Sequence, residues 1–213
     1  MGFQMFYYEK YKLKVTKLFT QIIFFFLMLV LFSCGKGKNN KEEPENFLLD
    51  KSLLGIEVVD VDLGIKFNPP VNWNLRQTMV SRKIESRGDI SNPNSSFIYQ
   101  PTYVFFNDST GALLSIGKVI SSDTTLLGSA KINYYKGLIS AKTPKDNLST
   151  TSFVSSRIYF SQFKIQKENL ISFKLIFENL KGEIIQFDYS IRSDYLEGLQ
   201  HSIKSSISSI HFM

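Results

Sequence analysis

ISFKLIFE (171–178), NLKG (179–182) and EIIQFDYSIR (183–192) read as a strand, a turn and a second strand. Ile171, Phe173, Leu175 and Phe177 alternate with Ser172, Lys174, Ile176 and Glu178; Ile185, Phe187, Tyr189 and Ile191 alternate with Gln186, Asp188, Ser190 and Arg192. A period of two with one apolar set per run is that of half-buried antiparallel strands. The period then changes. Leu196, Leu199, Ile203, Ile207 and Ile210 fall within an arc of about 80° at 100° per residue, so a helix follows with its apolar stripe on the sheet. Glu197, His201, Lys204, Ser205 and Ser208 take its polar side, Ser193 is placed to cap it, and Asp194 sits in its first turn.

Working outward from this unit, Arg157–Gln166 supplies a strand before the pair. Further upstream, Ile132, Tyr135 and Ile139 share one face of a helix that stops before Pro144, with Asp123, Thr124 or Thr125 at its start. Tyr103–Asn107 and Gly111–Ser121 form a hairpin around Asp108-Ser109-Thr110-Gly111. Ile56–Asp62 and Leu63–Asn68 are strand-like up to Pro69-Pro70, and a short helix carrying Leu75, Met79 and Val80 is expected after Trp73. The resulting order is strand, helix, two strands, helix, three strands, helix. The fold class is α+β, an antiparallel sheet flanked by helices, in a single domain spanning 47–213.

Two stretches precede that domain. Residues 1–33 hold a basic segment, Lys10 to Lys17, and then an apolar run from Leu18 to Phe32. This is the layout of a secretory signal. The run reaches about 22 Å at 1.5 Å per residue, short of a hydrocarbon core of roughly 30 Å. Residues 34–46 follow as Cys34 and GKGKNNKEEPEN, which contains no aliphatic or aromatic residue and reads as a solvated tether with a reach of about 20 Å. Lys41-Glu42-Glu43 admits a second reading, as a signal for surface export.

Leu31-Phe32-Ser33-Cys34-Gly35 resembles the lipobox of bacterial lipoprotein signals, with Phe32 larger than the residue usual at its place. The resemblance implies cleavage before Cys34, which becomes an acylated N-terminus and the contact with the membrane; several acyl chains hold a protein far better than one. Gly35 after the cysteine implies sorting to the outer membrane, its periplasmic or surface face left open. Gly64-Ile65-Lys66-Phe67-Asn68-Pro69 leading to Trp73, and the closing Ile203-Lys204-Ser205-Ser206-Ile207, resemble the PsbP-like family. That resemblance implies an α/β/α sandwich and accessory roles in large complexes, and it transfers no catalytic residue.

Composition narrows the function classes. The 213-residue chain has 43% hydrophobic residues and a net charge of +6, but 21 basic and 18 acidic side chains remain after residue 33, so nucleic acid is not indicated as a partner. One cysteine and two histidines leave neither a disulfide scaffold nor a zinc set, and no motif implies a metal or another cofactor. A nucleophilic triad needs a histidine beside a serine or cysteine; His201 is expected on the polar side of the last helix, and His211 lies two residues from the end. Asp60 and Asp62 read as solvated strand-edge carboxylates, and Arg76, Arg82, Lys83 and Arg87 as a solvated basic face. Trp73, Tyr103, Tyr134 and Tyr135 are the candidates for a contact surface, because amphipathic rings suit interfaces. Trp73 after Pro-Pro also fits a core plug, and at most one of two adjacent helical tyrosines turns fully inward.

The reading that follows is a lipid-anchored envelope protein, not an enzyme, acting as a non-catalytic binding or assembly module on an unknown envelope partner. Its alternative is a periplasmic carrier of a small apolar ligand, with the nineteen phenylalanines lining a pocket between helix and sheet. A hydrolase with a site assembled from distant residues is the third reading.

Overall fold

The computed structural model describes residues 48–76, 97–121 and 128–213, all within one compact unit, Pro44–Met213. The described elements are β1 (Val58–Asp60), β2 (Ile65–Phe67), β3 (Asn74–Leu75), β4 (Phe97–Phe106), β5 (Leu113–Ser121), α1 (Gly128–Lys142), β6 (Leu148–Ser155), β7 (Ile158–Lys167), β8 (Leu170–Glu178), β9 (Ile184–Arg192), α2 (Leu196–Ser208) and β10 (His211–Phe212). Seven strands form an antiparallel sheet in the order β3-β4-β5-β9-β8-β7-β6; β1, β2 and β10 form a second, small one. The α+β class expected from the sequence is the one observed.

The quoted hairpin lies near the middle of the large sheet, β9 paired with β5 and β8, β8 with β7. Its alternation assigns two faces, and both are covered. Ile171, Leu175, Phe177, Ile185, Phe187, Tyr189 and Ile191 are buried on one face. On the other, Ile176, Ile184 and Gln186 are buried as well. The expectation of half-buried strands is corrected here: Ile176 and Ile184 meet a second apolar cluster with Phe97, Val119 and Phe163, against which Ile132, Tyr135, Leu138 and Ile139 of α1 pack.

The first face is the larger core. α2 lays Ile203 and Ile207 on it, followed by Ile210, while the small sheet contributes Ile65 and Phe67. Phe67 stands edge-on to Phe187 at 5.3 Å, and Phe160 to Phe177 at 5.0 Å, geometries favoured by the ring quadrupole. The polar side expected for α2 is only partly so. Ser205 and Ser208 are buried, and residues 48–50 and Asn68 draw the neighbouring serines 205, 206 and 209 into hydrogen bonds. Asp50 N donates to Ser205 Oγ at 3.2 Å, Ser206 Oγ donates to Asn68 O at 2.7 Å, and Asn68 N donates to Ser209 Oγ at 2.8 Å. The Tyr189 hydroxyl lies 3.0 Å from Ser206 Oγ. Since Ser206 spends its one hydrogen on Asn68, Tyr189 is the donor.

Other expectations change. Ser193 does not cap α2: Ser193–Tyr195 is a 3-10 turn, and the helix starts after it without a side-chain cap. Asp194 precedes the helix and pairs with Arg192 at 2.6 Å. Leu75, assigned to a helix, lies in β3; the rest of that helix, and the cap residues Asp123, Thr124 and Thr125, lie outside the described residues. Four strands, not three, separate the two described helices, β6 being the addition.

Candidate functional site

β10 forms because Ile210, His211 and Phe212 alternate directly after α2 and meet the free side of β2, with His211 opposite Lys66 and Phe212 opposite Ile65. Phe212 turns inward, 6.2 Å from Phe177. His211 therefore turns outward, in one cross-strand row with Lys66 and Val59. Two half-open clefts flank it. One, of about 460 Å³, runs between the small sheet and the segment 49–55 and is lined by Leu49, Lys51, Glu57, Lys66, Asn68 and His211, among others. The second, of about 640 Å³, is lined by Ser156, Arg157, Leu180, His211 and Phe212.

His211 is the residue common to both. Its Nδ1 lies 2.8 Å from Ser209 O and must be the donor, since a carbonyl only accepts. In the neutral ring that leaves Nε2 as an acceptor. Arg157 reaches the second cleft from a two-residue turn in which Ser156 and Arg157 have φ of 51° and 66°. Such a turn suits the twist between β6 and β7, but Asn-Gly is its usual sequence, and a non-glycine residue there costs roughly 1–2 kcal/mol. Ser156 Oγ donates to Ser208 O at 3.3 Å, tying the strained turn to the end of α2.

A second polar group lies on the α1 face of the large sheet. Asp188 accepts from Ser172 Oγ at 2.5 Å and pairs with Lys174; its register partner Ser115 lies 2.8 Å from the Tyr99 hydroxyl. Burial raises the Tyr99 phenol well above its ordinary value, and the nearby Asp188 charge adds to this against the bond with Ser115. Tyr135 donates to Gln186 Oε1 at 2.7 Å. Each of these half-buried or buried polar groups thus has a partner on this face.

The sequence candidates do not come together. Leu31, Phe32, Ser33, Cys34 and Gly35 lie outside the described residues, as do Arg82, Lys83 and Arg87. Trp73 is 5% exposed and edge-on to Tyr189 at 6.2 Å, a core plug and not a contact residue. Tyr103 packs on the α2 face and donates to Asp60 Oδ2 at 2.8 Å. Tyr135 is half-buried on the opposite face, and of the four only Tyr134 stands exposed, tilted on Phe97. Asp60 is corrected from solvated to buried: it also accepts from Leu63 N at 2.7 Å, closing the turn between β1 and β2. Asp62 is exposed in that turn, and Arg76 is paired with Asp108. Sequence reasoning missed Lys51, Lys66, Arg157 and the outward position of His211. For His211 the signal was present: one polar residue between two apolar ones after a helix end.

Among the described residues no group of three or more His, Cys, Asp or Glu side chains could hold a metal ion, and no helix is long and apolar enough to cross a membrane. No protein-family model and no curated protein matches the chain. Among solved structures it is similar to the solution structure of cyanobacterial PsbP (CyanoP) from Synechocystis sp. PCC 6803, with 16% identity and a TM-score of 0.44 over 74% of this chain and 92% of that one. It is also similar to a crystal structure at 1.50 Å from Bacteroides thetaiotaomicron VPI-5482, with 13% identity and a TM-score of 0.40 over 75% of this chain and 48% of that one.

Proposed function

We propose that this chain is a bacterial envelope lipoprotein, anchored through Cys34 on the outer membrane, that acts as a non-catalytic binding or assembly module. The observation that carries the binding role is the pair of half-open clefts on either side of His211. Their linings mix the charges of Lys51, Glu57, Lys66 and Arg157 with Leu49, Leu180 and Phe212. Such a surface suits an extended segment of a larger partner, which contributes charge, backbone and apolar groups together. A small apolar ligand favours a cavity that buries 70–90% of it, and a half-open cleft does not supply that. The anchor is supported by the 31–35 pattern, and the assembly role by the PsbP-like sequence cues.

In-cell cross-linking of the affinity-tagged full chain, with Cys34 intact, followed by mass spectrometry tests both parts. One dominant envelope protein is expected in the membrane fraction, lost with Lys66→Glu or Arg157→Glu and kept with Tyr134→Ala. Recovery without any enriched protein, together with a co-purified lipid in the native mass, gives the carrier reading instead. A chain absent from the membrane fraction overturns the anchor.

A further inference from the structure

Among the described strands, the large sheet ends in two unlike edges. β3 contributes two residues, whereas β6 runs for eight, LSTTSFVS, paired to β7 on one side and to no described strand on the other. The two-residue turn at Ser156 and Arg157 decides which backbone groups are used. Ser155 and Ile158 flank it as a hydrogen-bonded pair, so Ser155, Phe153, Thr151 and Ser149 exchange bonds with β7. The N–H and C=O groups of Leu148, Thr150, Ser152 and Val154 therefore point away from the sheet, and Thr150, Ser152 and Val154 are exposed.

Edges of this kind are normally blunted by shortness, a charge, a proline or a bulge. β6 has no charged residue, proline or glycine, and its register to β7 is unbroken. We propose that β6 pairs antiparallel with β6 of a second copy of this chain, about a two-fold axis at Thr151, so that two seven-stranded sheets become continuous. That register sets Leu148 opposite Val154 of the second copy and Thr150 opposite Ser152, apolar on apolar and hydroxyl on hydroxyl, with no like charges apposed. Tyr159, opposite Val154 on the same face and 59% exposed, widens the apolar contact. An eight-residue edge is a small interface, so pairing is reversible. The anchor proposed at Cys34 raises its extent by confining copies to one plane, while the geometry is independent of it.

Oxidative cross-linking of the full chain in cells tests the register, with the wild type as the blank because Cys34 is its one cysteine. Thr151→Cys meets its own copy and is expected to give a reducible species of doubled mass, at least about tenfold above Thr150→Cys, whose copies are offset along the strands. Equal yields from the two variants, or none above the blank, overturn the proposal. So does preferential cross-linking of Ser152→Cys. Sedimentation equilibrium of the purified full chain gives the second readout. Ser152→Pro removes an N–H that no described strand uses, so the melting temperature of the dilute monomer holds while the dimer dissociation constant rises about 100-fold, two hydrogen bonds being lost by symmetry. An unchanged constant overturns the proposal. So does loss, in this variant, of a different protein bound to a monomeric wild type.

Discussion

The two faces of the large sheet are held by different physics. Among the described residues, nineteen buried apolar ones, with Phe67, Phe160, Phe177 and Phe187, join the α2 face to α2 and the small sheet. The α1 face gathers five, with the polar bonds of Tyr99, Ser115, Asp188, Ser172 and Gln186 spread beside them. α1 itself has no buried residue, against six in α2. Apolar burial is worth about 25 cal/mol per Å², so of these two clusters the one on the α2 face contributes more. The α1 face supplies register and specificity, because its bonds are satisfied in one arrangement only.

The sharpest way to break that comparison is a charge on each helix. Ile203→Asp, which buries a carboxylate against the sheet, is expected to cost more than about 5 kcal/mol and abolish the folding transition, a loss comparable with the whole stability of such a domain. Ile132→Asp on half-buried α1 is expected to leave a cooperative transition at a lower temperature. Equal thermal melts for the two variants would show that the helices carry similar weight.

Next in size is Gly117→Ala. Opposite Gly117 the register of β4 shifts between Pro101 and Tyr103, and a Cβ there would stand 2.0 Å from Gln100 O and 2.7 Å from Pro101 Cα. Backbone cannot yield as a side chain does, so a loss of about 2–3 kcal/mol is expected in urea unfolding. This bulge turns Phe97 and Tyr99 to the α1 face and Tyr103 and Phe105 to the α2 face. Gly117→Ala therefore perturbs the bulge by which β4 turns rings to both cores.

A smaller contrast comes from two hydroxyls. Tyr135→Phe leaves the buried Gln186 Oε1 without that donor, at a cost of about 1–2 kcal/mol. Tyr189→Phe is expected to cost less, because Ser206 Oγ keeps its bond to Asn68 O. Reversal of the two urea midpoints would undo the assignment of polar specificity to the α1 face. The smallest effect is alkaline. Burial, and then the bond to Asp60, raise the Tyr103 phenol to about 12. A phenol raised above its unfolded value near 10 contributes stability that is complete below pH 10 and fades as pH rises toward 12, since the unfolded chain ionises first. Tyr103→Phe should flatten the fall of the urea midpoint across that window, and an equally steep fall would remove Tyr103 from the account.

Legibility followed periodicity. β8, β9 and α2 were readable because their apolar residues repeat at 2.0 and 3.6. β6 was not, since an edge strand needs few buried side chains and Phe153 is its one large ring. The burial of Ser205 and Ser208 was hidden for another reason: a serine enters a core once a distant segment satisfies it, here Asp50 for Ser205, and no local pattern records that partner. The clefts share this limit. Lys51, Lys66, Arg157 and His211 come from four separate stretches and are brought together around β10, a strand of two residues.

The stitching of residues 48–55 to α2 and to the 68–71 segment also has a mechanical meaning. A load entering at Leu48 meets the contacts of Leu48 and Asp50 with Ser205 first. It then meets the backbone bonds Gly55 N to Pro69 O and Val71 N to Leu53 O, before it reaches any strand of the seven. The domain thus has a fuse at its entrance. Stretching would strip residues 48–55 from the serine side of α2 while the large sheet stays closed behind them.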